Sequence, residues 1–68
     1  MQTYTLDRSG ASPLYEQLYR ALKADILSGV LPGGSRLPSG RALAEHLGLS
    51  RVTVETAYAQ LLAEGYLT

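Results

Sequence analysis

Residues 37–67 read LPSGRALAEHLGLSRVTVETAYAQLLAEGYL, and this stretch decides the fold. It holds two short helical patterns that are separated by the tight sequence Gly48-Leu49-Ser50. Ser39 and Ser50 each precede a helical pattern, where a serine oxygen can accept a hydrogen bond from a free N–H of the first turn. Gly48 suits the left-handed conformation in which many helices end. The stretch therefore predicts two helices joined by a tight turn, the helix-turn-helix arrangement.

The apolar residues of this stretch predict how the two helices pack. Leu49 lies in the turn, and we expect it to fill the corner between them. Glu64 is expected to end the later helix, with Gly65 following in the left-handed conformation and residues 66–68 beginning a β-strand. At spacings of three and four, the positions expected to face the core of that helix are Val54, Ala57, Tyr58 and Leu61.

A third helical pattern precedes this pair and runs from Leu14 to Ser28. Ser12 is predicted to cap it, with Pro13 at the first helical position. Its apolar stripe is expected to consist of Tyr15, Leu18, Leu22 and Ile26, widened by Leu14 and Tyr19. Residues 1–11 show only weak order. The sequence thus predicts an N-terminal arm over 1–11 and one mainly α-helical domain over 12–68.

Composition excludes several classes of function. The chain has 68 residues, which allows one small domain, and it contains no Cys and one His, so neither a disulfide nor a metal site is expected. A nucleophile with a base, or paired carboxylates on one face, is also missing, so the chain is not expected to be an enzyme. No apolar run is long enough for a membrane, and no secretory signal is visible. We therefore expect a cytoplasmic domain with no membrane partner.

The charges balance overall but are distributed unevenly. Six Lys and Arg face six Asp and Glu, so the net charge is zero. Residues 34–54 carry three arginines against one glutamate, a sum of plus two, and residues 55–68 carry two glutamates, a sum of minus two. The arginines of the basic segment are Arg36, Arg41 and Arg51. Because the Arg fork fits phosphates and guanine edges, the segment is either a nucleic-acid face or ordinary charged surface.

The start of the last helix is the part of the chain best placed to contact DNA. In a helix-turn-helix the first turns of the second helix of the pair enter the major groove. Here they display Ser50, Arg51, Val52, Thr53, Glu55 and Thr56. The alternative for the arginines is that Arg41 and Arg51 only form surface ion pairs, with Glu45 and Glu55. The zero net charge also leaves open a protein-interaction module without a DNA role.

Four motifs, LPS, R-x-LA, LG-x-SR-x-TV and AY-x-x-L-x-x-EGYL, together resemble the winged helix-turn-helix of the GntR transcriptional regulators. The resemblance begins near Pro13 and implies a three-helix bundle with a small β-wing, truncated here to its first strand. It also implies sequence-specific binding of double-stranded operator DNA, with the recognition helix, about 51–64, in the major groove. The runs PLYEQLYRAL and AYAQLLAEGYL look most like the MocR-type branch, and the short YtrA-type branch is the nearest alternative.

The resemblance also implies individual DNA contacts. Arg41 matches an arginine that contacts a base or phosphate, and Thr53 matches a phosphate contact. Val52 departs from a commonly polar position, so an apolar contact with a thymine methyl group is expected. Glu55 stands where some relatives have Arg, and it is expected either to accept from a cytosine amino group or to pair with Arg51. The full set of predicted DNA-binding residues is Arg36, Ser39, Arg41, Ser50, Arg51, Val52, Thr53 and Glu55.

The resemblance finally implies partners that lie beyond this chain. GntR-type regulators act as homodimers on symmetric operators, and their dimerisation rests mainly on a C-terminal domain. This chain alone is therefore expected to be a monomer or weak dimer that binds DNA weakly. No cofactor is expected in it. In the MocR-type branch an aminotransferase-like domain that binds pyridoxal phosphate follows, and its cofactor-binding lysine would lie outside these 68 residues.

Overall fold

Helices dominate the computed structural model, which describes residues 4–10, 12–29 and 37–67. Over these ranges the chain forms three α-helices, α1 (Leu14–Ser28), α2 (Gly40–Leu47) and α3 (Arg51–Ala63). The predicted helix-turn-helix is confirmed as α2, the turn and α3. α3 packs against both α1 and α2, so it is the central helix of the bundle.

The serine caps and the glycine end of the helix-turn-helix are confirmed. The Ser39 hydroxyl accepts a hydrogen bond from the Ala42 N–H at 3.1 Å, and the Ser50 hydroxyl accepts one from the Thr53 N–H at 3.1 Å. Gly48 ends α2 with φ of 69°, a left-handed conformation that glycine adopts without steric cost. Each of these features is local in sequence, so a pattern of a few residues was enough to predict it.

α1 spans Leu14–Ser28 as predicted, but the residue that caps its start differs from the prediction. Pro13 is the N-cap, with φ of −60° and ψ of 151°, and no side chain caps the helix. Ser12 therefore does not cap α1, and Pro13 is not the first helical residue. The Ser12 carbonyl instead accepts a hydrogen bond from Gln17 Nε2 at 2.9 Å, so the glutamine side chain ties the preceding loop to the first turn.

The core is small and apolar. Tyr15 was predicted to lie in the core-facing stripe of α1, but it is 38% exposed, and Tyr19 is buried in its place. Tyr58 is half-buried, and its hydroxyl donates to the Pro38 carbonyl at 2.9 Å. Leu49 packs against the core as predicted. All three helices contribute to the buried set, which consists of Leu18, Tyr19, Leu22, Leu43, Ala44, Val54, Ala57 and Leu61.

The described part of the N-terminal arm is bonded to the helices, whereas the sequence suggested weak order. The Tyr4 hydroxyl donates to Asp25 Oδ2 at 2.7 Å, near the end of α1. Burial, followed by this hydrogen bond, raises the pKa of Tyr4 above its ordinary value. Tyr4 and Leu6 also pack against the core. These contacts join residues that are far apart in sequence, so no local pattern indicated them.

The arm also contacts the start of α1 and the helix-turn-helix. The Asp7 N–H donates to Gln17 Oε1 at 2.7 Å, and Gln17 Nε2 donates to the Asp7 carbonyl at 2.8 Å. One residue later, Arg8 Nη2 donates to the Gly48 carbonyl at 2.7 Å. The arm therefore connects α1 with the turn that precedes the recognition helix.

The predicted strand after α3 is absent from the described residues. Gly65 adopts φ of 83° as predicted, and Tyr66 donates its N–H to the Leu61 carbonyl at 2.9 Å. Tyr66 and Leu67 carry no strand, and Thr68 lies outside the described residues. A β-strand requires hydrogen bonds to a neighbouring strand, and the described ranges contain none.

Candidate nucleic-acid interface

The first turns of α3 present a mixed polar and apolar surface. Val54 is completely buried, whereas Val52 is 72% exposed. Arg51, Glu55 and Thr56 are exposed as well. The arrangement predicted from the spacing is thus observed, because the apolar side of the helix faces α1 and α2 while its opposite side is open to a ligand. An exposed valine among polar groups can contact the methyl group of thymine in a major groove.

The N-cap of α3 organises two hydroxyl groups at the tip of this surface. The hydroxyl of Ser50 lies 2.7 Å from that of Thr53 and also accepts the Thr53 N–H. Both side chains are thereby fixed relative to the helix axis. Because a helix start leaves N–H groups unpaired and carries partial positive charge, this end of α3 favours an anion such as phosphate.

The two described arginines of the basic segment each pair with a glutamate one turn later. Arg51 Nε donates to Glu55 Oε1 at 2.8 Å, and their side chains are 66% and 51% exposed. Arg41 Nε donates to Glu45 Oε1 at 3.4 Å, with side chains 76% and 71% exposed. Both ion pairs are therefore present, and the DNA contacts of the two arginines stay predictions. Such exposed pairs contribute only about 0.3–0.5 kcal/mol each, so a phosphate or base edge can replace the glutamate or bind beside it.

Glu55 also lies against the start of α2. A Cβ atom placed on Gly40 would stand 3.0 Å from Glu55 Cγ, closer than ordinary van der Waals contact. Glycine at position 40 therefore leaves the space that the glutamate occupies. This contact brings the first turn of α2, which carries Arg41, next to the first turns of α3.

The structure thus brings most of the predicted residues to one region. Ser39 and Arg41 lie at the start of α2, and the predicted residues from Ser50 to Glu55 lie at the start of α3. Arg36 lies outside the described residues, so its predicted phosphate contact stays a prediction. The contacts of the other predicted residues with DNA also stay predictions.

Arg8 is a neighbour of this region that the sequence patterns did not reveal. Its guanidinium is bonded to Gly48, two residues before the N-cap of α3. Within the described ranges, Arg20, Arg41 and Arg51 are each held by a carboxylate, and Arg8 is held by a carbonyl instead. The two partners are 40 positions apart, so only the folded arrangement of the arm shows the contact.

The lysine of this chain lies against aromatic side chains. Lys23 is the single lysine of the sequence, and its Nζ lies 5.6 Å from the Tyr19 ring centre and 5.1 Å from that of Tyr66. The hydrogen bond to the Tyr19 hydroxyl raises the pKa of Lys23, which favours the charged amine. Lys23 therefore acts as a structural cation between two aromatic rings.

A metal-ligand cluster and a membrane-spanning helix are both absent from the described ranges. These ranges hold no group of three or more His, Cys, Asp or Glu that could bind a metal ion. None of their helices combines the length and the apolar character that crossing a membrane requires. The surface at the starts of α2 and α3 is thus the candidate functional site.

Comparison with known proteins agrees with this assignment. Residues 14–68 match the family model described as bacterial regulatory proteins of the gntR family. The chain is 55% identical over 62 residues to a probable rhizopine catabolism regulatory protein, MocR, of Rhizobium meliloti, covering 91% of the chain and 13% of that protein. It is 43% identical over 67 residues to the transcriptional regulator TauR of Rhodobacter capsulatus, covering 98% and 14%.

A shorter relative is the transcriptional repressor NagR of Bacillus subtilis, which is 39% identical over 62 residues, covering 91% of the chain and 26% of that protein. The chain therefore spans roughly an eighth to a quarter of the length of these relatives. All three relatives, like the matching family model, are named as regulatory proteins. With its family match over most of its length and its exposed recognition helix, the chain belongs to the gntR family of bacterial regulatory proteins, as a DNA-binding domain.

Proposed function

We propose that this domain reads a specific operator sequence by placing the first turns of α3 in the major groove. The observation that carries the proposal is the exposed surface of Arg51, Val52 and Glu55 directly after the Ser50 cap. Hydrogen-bonding and apolar groups stand there side by side on a rigid helix, and the major groove displays both kinds of partner. The predicted roles are phosphate contacts by Arg41 and Thr53 and base-edge contacts by Arg51 and Val52.

The charge distribution supports this orientation. The basic segment carries the predicted arginine contacts. The two glutamates of the minus-two segment are Glu55 on α3 and Glu64 just beyond the end of that helix. A duplex approached by the start of α3 thus meets the arginines first and is kept away from Glu64. Ser39, Ser50 and Arg36 complete the proposed set of contacts on the phosphate backbone.

Replacing Arg51 with Ala tests the proposal. We expect a loss of about 1–3 kcal/mol on an operator selected from random duplexes with the full-length regulator, together with relaxed specificity at one base pair. Arg20→Ala is the matched control, because Arg20 pairs with Glu16 on α1. Fluorescence anisotropy over a range of salt concentrations gives both the affinity and the number of phosphates contacted. Unchanged affinity of Arg51→Ala for the selected operator would contradict the proposed role.

For the whole protein we propose a cytoplasmic, MocR-type regulator. The similarity to MocR and TauR, of which this chain covers 13% and 14%, supports a long following region. That region would hold pyridoxal phosphate in an aminotransferase-like fold and would join two subunits on a symmetric operator. The YtrA-type alternative has a short following region, so reading the residues after Thr68 separates the two branches.

The oligomeric state of the isolated domain follows from the same proposal. If the following region supplies dimerisation, residues 1–68 are monomeric at low micromolar concentration and bind a single half-site weakly. Analytical ultracentrifugation of this chain checks the expectation. A tight dimer at that concentration would contradict it.

A further inference from the structure

We propose that Glu55 is a positioning residue for base recognition. It binds the Nε edge of the Arg51 guanidinium, so that Nη1 and Nη2 face the major groove. In that orientation Arg51 selects guanine at one position of the operator. This inference rests on the proposed function and deepens it, because it names the base that the recognition helix selects. The residues that carry it are Arg51, Glu55 and Gly40.

The first step is the geometry of the ion pair. Glu55 Oε1 accepts from Arg51 Nε at 2.8 Å, which occupies the inner edge of the guanidinium. Nη1 and Nη2 then remain at the end of the fork with parallel N–H donors. In the major groove guanine presents two adjacent acceptors, N7 and O6, whereas adenine presents an acceptor beside a donor. An arginine presented end-on in this way binds guanine with two hydrogen bonds and rejects adenine.

The second step is that Glu55 is itself held in place. Its Cγ stands 3.0 Å from the position that a Cβ of residue 40 would take, so its side chain runs across the first turn of α2. The Arg51–Glu55 pair is therefore supported by both helices of the helix-turn-helix. The Arg41–Glu45 pair is longer, at 3.4 Å, and is more exposed. The Arg51 pair is packed against a second element through Glu55.

The third step concerns charge. A carboxylate among groups that approach DNA repels phosphates and lowers affinity for every duplex. By orienting Arg51, however, Glu55 raises the affinity for duplexes that carry guanine at the contacted base pair. Removing Glu55 is thus expected to change affinity and specificity in opposite directions. A merely structural side chain would change both in the same direction, because unfolding weakens all binding.

The test uses the selected operator and measures one ratio. That ratio is the affinity for the operator divided by the affinity for a duplex with adenine at the base pair to which Arg51→Ala is sensitive. A second duplex carries 7-deazaguanine there, which removes the N7 acceptor. For the wild type we expect a ratio of about 5–150, the fold-change that corresponds to one bidentate contact.

Three variants are compared with a matched control. Glu55→Ala is expected to lower the ratio at least threefold while affinity for the adenine duplex rises at low salt. Gly40→Ala, which retains both charges but displaces the glutamate, is expected to lower the ratio as well. Glu55→Gln keeps an acceptor for Arg51 Nε, so its ratio is expected to lie between those of the wild type and Glu55→Ala. The control, Glu45→Ala, removes the other glutamate and is expected to leave the ratio unchanged.

Two results would overturn the inference. If Glu55→Ala keeps the full preference for guanine, the glutamate does not position Arg51. If the lost preference is for cytosine at a different base pair, Glu55 reads a base directly. Both results leave the proposed function intact, whereas a wild-type domain that binds all duplexes equally contradicts the function and the inference together. Circular dichroism of each variant confirms that it is folded.

Discussion

At the residue scale, Ser50 caps α3 and also belongs to the proposed DNA-binding surface. Its hydroxyl caps α3 and contacts the Thr53 hydroxyl. Because this cap stands at the tip that we propose contacts DNA, substitutions at Ser50 can change the stability of the helix and its charge separately.

The first prediction concerns this cap. Ser50→Ala is expected to lower the free energy of unfolding by about 1 kcal/mol, since the Thr53 N–H loses its acceptor. Ser50→Asp retains the cap and is expected to keep stability close to that of the wild type, but its added negative charge should weaken operator binding. Urea unfolding and duplex titration measure the two effects.

The control for Ser50→Ala is Ser28→Ala, because Ser28 lies at the exposed end of α1 and donates to the Asp25 carbonyl. Its effect on unfolding is expected to be small. If Ser50→Ala and Ser28→Ala were equally stable, the hydroxyl of Ser50 would not be acting as a cap.

Local residue patterns predicted much of this site. The caps at Ser39 and Ser50 and the glycine at 48 depend on hydrogen bonds that span three or four residues, so the sequence shows them. The packing of Glu55 over Gly40 depends on the crossing of α2 and α3, which no residue pattern specifies. The i,i+4 spacing of Arg41 with Glu45 and of Arg51 with Glu55 allowed the ion pairs to be proposed. It could not decide whether these arginines form ion pairs or contact DNA.

At the scale of elements, the arm and the helix-turn-helix act as one unit. Arg8 places a positive charge on the carbonyl end of α2, where the helix dipole favours a cation. Leu49, which follows Gly48, packs against the core. The position of the turn is therefore supported from the solvent side by Arg8 and from the core side by Leu49.

The second prediction tests this support. Arg8→Ala is expected to lower the free energy of unfolding by about 0.5–1 kcal/mol, because the bond to Gly48 is exposed to solvent. Faster hydrogen exchange at the Leu49 amide, which donates to Ala44, would locate the effect in the turn. Arg20→Ala, which breaks the pair with Glu16 on α1, should leave that amide unchanged.

Helix bounds were more predictable than contacts between elements. The bounds of α1 agree with the prediction because Pro13 and Gly29 mark its ends. Tyr15 and Tyr19 both fit the helical spacing of a core stripe, and the position of α3 decides that Tyr19 is buried. Its hydroxyl donates to Glu64, beyond the end of α3, a partner 45 positions away. The arm was interpreted as weakly ordered for the same reason, since its partners are distant in sequence.

At the scale of the whole molecule, tyrosines connect the parts of a small core. The Tyr19 hydroxyl joins α1 to Glu64, that of Tyr58 joins α3 to Pro38, and that of Tyr4 joins the arm to α1. Hydrogen bonding to Glu64 raises the pKa of Tyr19, and burial raises the pKa values of Tyr58 and Tyr4. Folding therefore favours the protonated phenols.

The third prediction follows from the sign of these shifts. The ordinary tyrosine pKa is 10.0, and the folded pKa values lie above it, so the unfolded chain releases phenolic protons first. Their contribution to stability is complete below 10.0 and is lost as the pH rises through the folded values. The free energy of unfolding should thus fall with increasing pH above 10.0.

Tyr4→Phe provides the matched comparison. It removes the hydrogen bond to Asp25, so it should be less stable at neutral pH, but its stability should fall less steeply above pH 10.0. Urea unfolding at a series of alkaline pH values measures both slopes. Equal slopes for the two proteins would show that Tyr4 does not contribute to the alkaline loss.

The bond between Arg8 and Gly48 has a practical consequence for handling the protein. An affinity or fluorescent tag fused before Met1 is attached to the same short arm that contacts the turn ahead of the recognition helix. Operator affinities measured on such fusions would include a contribution from the tag. Proteolysis after Arg8 would yield a chain that keeps all the motifs from Pro13 onward but has lost the bond to the turn ahead of α3.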